Sequence, residues 1–191
     1  MKKLMTTAAA MAALMSPLAL NAAEYDIDKS HTQIILTVNH LGFSDFYMEV
    51  MDYEGGFTFD PEAIADSTVN VVMDATSVRS DSEKLDGHLR GKDFFMADVY
   101  PDITFKSTGV EMTGENTGIL KGNLTIKTFT KPVKLNVTFN KAGENPFSGA
   151  YHAGFSAKGT IKRSDFGIKY ALPAVSDEVS IIIEIEGMRK K

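Results

Sequence analysis

The chain has no cysteine and no tryptophan. Without thiols it has no disulfide, no thiolate metal site and no thiol nucleophile, so its fold rests on its core alone. Basic residues are also in deficit: 20 Lys and Arg stand against 25 Asp and Glu. No basic stripe appears, which argues against nucleic acid as a partner and against docking on anionic membrane surfaces. Neither a Gly-x-Ser-x-Gly elbow nor a phosphate-binding loop is present. Histidine is scarce at four residues, His31, His40, His88 and His152, and no His/Asp/Glu spacing suggests a metal triad. No Pro- or Ser-rich linker divides the chain.

What is present begins with a leader. Lys2 and Lys3 precede an apolar, Ala- and Met-rich run from Leu4 to Leu20, and Asn21-Ala22-Ala23 offers small residues for cleavage. This is the pattern of a secretory signal peptide over residues 1–23. A retained anchor is the alternative, but the run is short for a ~20-residue span and Ser16-Pro17 interrupts it. The mature domain, residues 24–191, is expected in the periplasm as one unit with a sizeable core. Loss of Lys2 and Lys3 takes the net charge from −5 to about −7.

Period-2 alternation dominates the mature chain. Ile34, Leu36 and Val38 alternate with Gln33, Ile35 and Thr37. Phe57 and Phe59, then Val69 and Val71, then Ile103 and Phe105, repeat the pattern. Leu120, Leu124 and Ile126 share one face, as do Val133, Leu135, Val137 and Phe139. Tyr151, Phe155 and Ile161 form another, and Val179, Ile181, Ile183 and Ile185 the last. About eight strands with short polar links predict a mainly β domain, an eight-stranded antiparallel barrel wide enough for one small ligand. A β-sandwich is the other architecture this pattern allows. Gly55-Gly56 marks a bulge or bend, and Ala153, Gly154, Ala157 and Gly159 leave space on their strand. An outer-membrane barrel would need apolar residues facing lipid. The outward set instead holds Asp52, Glu54, Asp74, Lys134, Lys158, Glu184 and Glu186.

One segment departs from this pattern. Ser80 with Glu83 reads as a capping box, Asp81 and Glu83 suit a helix start, and Arg90 and Lys92 suit its end. Leu85, Leu89 and Met96 fall on one stripe, with Phe94 and Phe95 following and Tyr100-Pro101 stopping the run. A single short helical insert ending in an aromatic pair reads as a plug or lid. The stretch His40 to Tyr47 is aromatic where a loop should be polar, so its apolar surface is either covered or used.

The histidines offer little chemistry. His31 and His40, placed on one predicted strand nine residues apart, face opposite sides roughly 30 Å apart at ~3.3 Å per residue. His40 shares parity with Leu36 and Val38 and so points toward the apolar side. His152 has outward parity.

Several short segments together resemble the YceI-like family of exported polyisoprenoid-binding proteins. They are Tyr25-Asp-Ile-Asp28 with His31-Thr32 and His40-Leu-Gly42, Gly55 to Phe59, His88-Leu-Arg90 with Asp93-Phe-Phe95, Tyr100 to Phe105, Leu124-Thr-Ile126 with Thr130 to Val133, and Arg163-Ser-Asp-Phe-Gly167. The likeness runs from about Tyr25 to Gly187. It implies an extended eight-stranded lipocalin-like barrel whose apolar lumen takes a long prenyl or fatty chain, and it supports dimers. The Gly-x-Trp signature of ordinary lipocalins is absent with tryptophan. The chain departs from the family pattern at Leu85, where arginine is usual, and at Met48, Gly91 and Thr128. Arg79 or Arg90 are the available substitutes for the missing arginine.

The expected function is non-enzymatic binding of an amphiphilic isoprenoid, such as a polyprenyl phosphate or a quinone, with no catalytic residue, metal or separate cofactor. The expected lining is Leu36, Val38, Phe57, Val71, Phe105, Leu124, Leu135, Phe155 and Ile183, each equally compatible with plain core packing. His40, Phe43, Phe46, Phe94 and Phe95 are expected at the mouth. A homodimer that buries the aromatic loop, or transient membrane contact, would account for its exposed surface. Two other functions remain open: a small barrel enzyme using His40 with Asp45 or Arg90, and a stress or adhesion protein with a filled core.

Overall fold

A computed structural model describes residues 22–191; residues 1–21 of the expected leader lie outside it. Eleven strands and one α-helix follow in order. They are β1 (Ala23–Ile27), β2 (Gln33–His40), β3 (Ser44–Val50), β4 (Tyr53–Phe59), β5 (Thr68–Asp74), β6 (Val78–Arg79), α1 (Glu83–Arg90), β7 (Asp102–Met112), β8 (Thr117–Ile126), β9 (Phe129–Glu144), β10 (Tyr151–Lys162) and β11 (Glu178–Arg189).

Eight of these strands close into an antiparallel barrel in the order β1-β4-β5-β7-β8-β9-β10-β11. The ring is sealed where Tyr25, Asp26 and Ile27 pair with Arg189, Met188 and Gly187. The inward faces are those the alternation indicates, and Asp52, Glu54, Lys134, Lys158 and Glu184 are exposed on the other side. The remaining strands, β2, β3 and β6, branch off as a second sector. β11 is the fork, since its Ser180–Glu184 stretch pairs with β2 while its last residues pair with β1.

The fork arises because runs that read as continuous are broken. At 28–32 the Asp28 carboxylate accepts the backbone N–H and the hydroxyl of Ser30 at 2.9 and 2.5 Å. It also contacts His31 Nδ1 at 2.8 Å. This is an Asx turn, which offers the backbone an alternative to the ladder. His31 therefore sits in the break and not on a strand with His40. A second break at Met51-Asp52 is held by Ser77, whose hydroxyl accepts from Asp52 N–H at 2.9 Å. The third is a single 3₁₀ turn, Ala75–Ser77, capped by the Asp74 carboxylate.

Gly55 and Gly56 keep regular pairing and form no bulge. They allow close approach instead: a Cβ at Gly55 would strike the Asn70 carbonyl, and one at Gly56 the Tyr25 carbonyl. The space expected beside Gly159 is taken by the Leu135 side chain, 2.6 Å from where a Cβ would sit. The irregularities lie elsewhere, between Ser107 and Gly109 and between Gly154 and Phe155.

Helix α1 packs against β6 and buries Leu89 in the main core. Its cap is Ser82, whose Oγ accepts from Leu85 N–H at 3.4 Å. Ser80, the expected cap, gives its hydroxyl and its N–H to Asp86 at 2.8 and 2.7 Å. Met96 does not continue the Leu85–Leu89 stripe. It lies beyond the helix at φ 51° and is exposed.

At the far end from α1, Tyr25, Phe57, Phe59, Phe139 and Phe155 interlock. Tyr25 stacks on Phe57 at 5.0 Å and Phe155 meets Phe59 edge-on at 5.0 Å. Such aromatic pairs contribute ~0.5–1.5 kcal/mol each beyond area burial.

Candidate functional site

Two apolar cavities lie among the described residues. The lumen cavity, about 150 Å³, is bounded by Phe57, Val71, Phe105, Leu135, Phe155 and Ile183 among others. The helix-end cavity, about 430 Å³, lies between the branched sector, α1 and the 163–179 segment. Leu36, Val38, His40, Phe46, Phe94 and Phe95 border it, with Leu85, Leu89, His88 and Tyr170.

Strand positions show how the cavities relate. On β11, Val179 lines the helix-end cavity and Ile183 the lumen, with the buried Ile181 between them. On β2, by contrast, Ile34 lines the lumen and the next inward residue, Leu36, already lines the other cavity. The partition is therefore about one side chain thick.

Twelve of the fourteen residues singled out in the sequence thus border a cavity. The other two are placed differently. Leu124 is buried in the main core and lines neither cavity. Phe43 is 88% exposed at the tip of a tight hairpin between β2 and β3. The expected aromatic loop is this hairpin: Phe46 pairs with Val38 and faces inward, while Phe43 and Tyr47 face out. His40 is exposed at the rim, where it bridges to Val175, and does not enter the apolar interior. Phe94 is half-buried and Phe95 buried.

The rim carries an aromatic group that the sequence did not reveal. His88 meets Phe94 at 4.9 Å and Tyr170 at 4.8 Å between ring centroids, both edge-on. His88 Nε2 is 3.4 Å from an Asp93 carboxylate oxygen. Asp45, the expected partner of His40, is bonded by Asn39 at 3.3 Å, and neither Asp45 nor Arg90 lines the cavity.

Arg163 holds the segment that roofs the cavity. It is buried, and its guanidinium donates to the carbonyls of Ser176 at 2.8 Å, Tyr170 at 2.7 Å, Val175 at 2.9 Å and Ile168 at 3.4 Å. Burial lowers its pKa, with the Asp177 charge opposing. Four of its five N–H groups are thus committed to the backbone. Lys127, whose pKa burial also lowers, donates to the Phe94 carbonyl at 3.1 Å and so fixes the mouth aromatic from below. Arg79 and Arg90 are exposed and line neither cavity, so neither replaces the arginine missing at Leu85.

Elsewhere, Asp28, His31 and Glu186 converge on the outer wall. The spacing of the histidines gave no sign of this meeting.

Comparison with known proteins agrees with this architecture. A UPF0312 protein of Pectobacterium carotovorum is 40% identical over 193 residues, covering all of both chains. The crystal structure of a Campylobacter jejuni YceI protein is 31% identical, with TM-score 0.70, covering 80% of this chain and 90% of that one. A polyisoprenoid binding domain from Saccharophagus degradans shares the fold at TM-score 0.64 and 14% identity, covering 88% of this chain and 99% of that one. The model of the YceI-like domain matches residues 25–187, so the chain, with its forked eight-stranded barrel and paired apolar cavities, belongs to the YceI-like family.

Proposed function

We propose that the protein binds a long amphiphilic isoprenoid and carries or stores it in the periplasm without chemical change. The observation that supports this most is the pair of apolar cavities separated by one layer of side chains. The larger lies in the ~300–1,000 Å³ range of ligand pockets. A tail entering past Phe94 would fill the helix-end cavity and reach the lumen by displacing the partition between Ile34 and Leu36. The Saccharophagus relative, named for polyisoprenoid binding, shares this frame.

Energetics limit what such binding achieves. Burial at ~0.8 kcal/mol per CH₂ gives roughly 30 kcal/mol gross for a forty-carbon chain, above the ceiling of about 18–21 kcal/mol for real affinities. The lipid's alternative is a bilayer, which is equally apolar, so chain burial confers almost no advantage over membrane. Selection falls to cavity shape and to polar contacts at the mouth. There Arg163, the one arginine bordering the cavity among the described residues, has four of its five N–H groups on carbonyls, and Leu85 stands where the family usually has another. A neutral head group of the quinone kind suits this mouth better than a phosphate. The exposed tip formed by Leu41, Phe43 and Tyr47 offers a surface for transient membrane contact or for a second copy.

Native mass spectrometry of protein purified from membrane-containing cells tests the reading. A co-purified lipid mass is expected. Consistently empty protein that takes up no prenyl lipid would sink it. The His88–Asp93 pair at the rim favours a second reading, a lipid-modifying enzyme. Recovery of the offered lipid chemically altered by wild type, but unaltered by His88→Gln, would establish that instead.

A further inference from the structure

A third depression, about 290 Å³, lies on the outer wall where β1 breaks from β2. It is bordered by His31, His152, Glu144, Glu184, Glu186 and Lys141, three carboxylates against one ammonium. Phe155 and Ile185 border both this depression and the lumen, so the two are back to back across the wall.

Asp28, His31 and Glu186 each present one ligand atom, and the three atoms lie within 4.8 Å of one another. Their backbones are tied together. Asp28 N–H donates to the Glu186 carbonyl at 2.8 Å and His31 N–H to the Asp28 carbonyl at 3.2 Å. Glu186 N–H donates to Thr32 Oγ1 at 3.1 Å. The same break that lets β11 pair with two strands thus sets Asp28 and His31 beside Glu186. The cluster is built by the fold, and not assembled from wandering surface side chains.

The Asp28–His31 contact alone could be a simple ion pair at a turn. His152 is what that account leaves unexplained. Its Nδ1 is buried with no hydrogen-bond partner among the described residues, and its side chain is 15% exposed. Buried polar nitrogens are nearly always satisfied. This one faces Glu186 Oε2 across 3.6 Å, too long for a good hydrogen bond. Two ligands on one tetrahedral ion with bonds of ~2.0–2.1 Å stand roughly 3.3–3.4 Å apart, so the gap is close to what a shared ion requires. His31 Nδ1 and Asp28 Oδ2 already stand 2.8 Å apart, so an ion between them would take the place of the proton they share.

We propose that Asp28, His31 and Glu186, with His152 beside Glu186 as a further donor, form a binding site for a divalent first-row transition ion. Two imidazoles with carboxylates select zinc, nickel or copper over magnesium and calcium, which prefer oxygen-only shells. Zinc, free of redox chemistry, is the probe of choice.

The test uses untagged mature protein freed of metal by a chelator. Titration calorimetry with zinc chloride is expected to give one ion per chain and a raised melting temperature, with no such effect from magnesium chloride. His31→Gln and Glu186→Gln are each expected to weaken zinc at least about tenfold. NMR of the wild type is expected to show His31 and His152 ring signals shifting on zinc addition while His40 and His88 stay still. This readout stands even if a variant folds poorly. Absence of stoichiometric zinc, unchanged affinity in both variants, or shifts confined to His40 or His88 would overturn the proposal.

Discussion

The phenyl ring of Phe105 lies over Gly122, in the space where any side chain at 122 would begin. Phe105 also borders the lumen cavity. The two positions are therefore coupled: whatever is added at 122 moves the ring, and the ring has the lumen to move into.

Gly122→Ala should accordingly shrink the lumen as well as strain the wall. Overpacking of this kind costs about 1–3 kcal/mol. Denaturant unfolding is expected to show a loss in that range. A short-chain prenyl ligand should be retained better than a long one, since the far end of the path is narrowed. Equal retention of both lengths would separate the ring from the ligand path.

Phe94 and Phe95, adjacent in sequence, should respond differently to the same change. Phe94 is half-buried at the mouth, whereas Phe95 is buried in the main core. Phe94→Asp is expected to cut lipid retention roughly tenfold, about 1.4 kcal/mol, with little change in melting temperature. Phe95→Asp places a charge in the core and is expected to fail in folding first. Lipid pull-down alongside thermal melts distinguishes the two.

Removing Arg163 strands the four carbonyls it serves. Hydrogen bonds to charged groups contribute about 1.5–3 kcal/mol each, so Arg163→Ala should lose at least about 3 kcal/mol in denaturant titration. Arg163→Lys should recover only part of this, because an ammonium cannot span the carbonyls as the planar fork does. A near-neutral Arg163→Ala would show that the roof over the helix-end cavity holds itself.

The Asp28–His31 pair predicts a pH window. Burial raises the Asp28 carboxyl, but hydrogen bonds from Ser30 and His31 outweigh it and hold the pKa at about 2, against an ordinary 3.8. His31 is raised above its ordinary 6.5, first by the hydrogen bond to Asp28 and then by that residue's charge. A lowered acid stabilises above its unfolded pKa and loses that contribution as pH falls through the folded value; a raised base does the reverse. The stabilisation is therefore complete between 3.8 and 6.5 and fades on either side. The melting-temperature gap between wild type and His31→Gln, measured without metal, should peak inside that window and narrow at alkaline pH.

The barrel could be read from the chain because a wall with one wet and one dry face prints a period of two. Phe57, Val71, Phe105, Leu135, Phe155 and Ile183 fall on the dry face by that parity. The breaks could not be read, because distant groups make them. Nothing at Met51-Asp52 resembles a turn, and the hydroxyl that stops the ladder belongs to Ser77. At Phe43 and Phe46, three residues apart, parity depended on where the hairpin turned, and two similar aromatics went to opposite faces. The helix start shifted because Ser80 and Ser82 are both plausible caps and a tertiary partner, Asp86, took the first. The Asp28–Glu186 meeting spans nearly the whole chain and left no local trace.

The fork at β11 has a consequence for how the wall yields. The eight ring strands are hydrogen-bonded on both sides, whereas β6 meets β3 through only Glu49–Arg79 and Val50–Val78. The outer edge of Ser44–Met48 is therefore left without a neighbouring strand. Backbone amides on β3 and β6 should exchange with solvent deuterium well before those of β8, β9 and β10. For the long chain proposed above, this leaf is where the wall would open, since the hoop beneath it is laced on both sides.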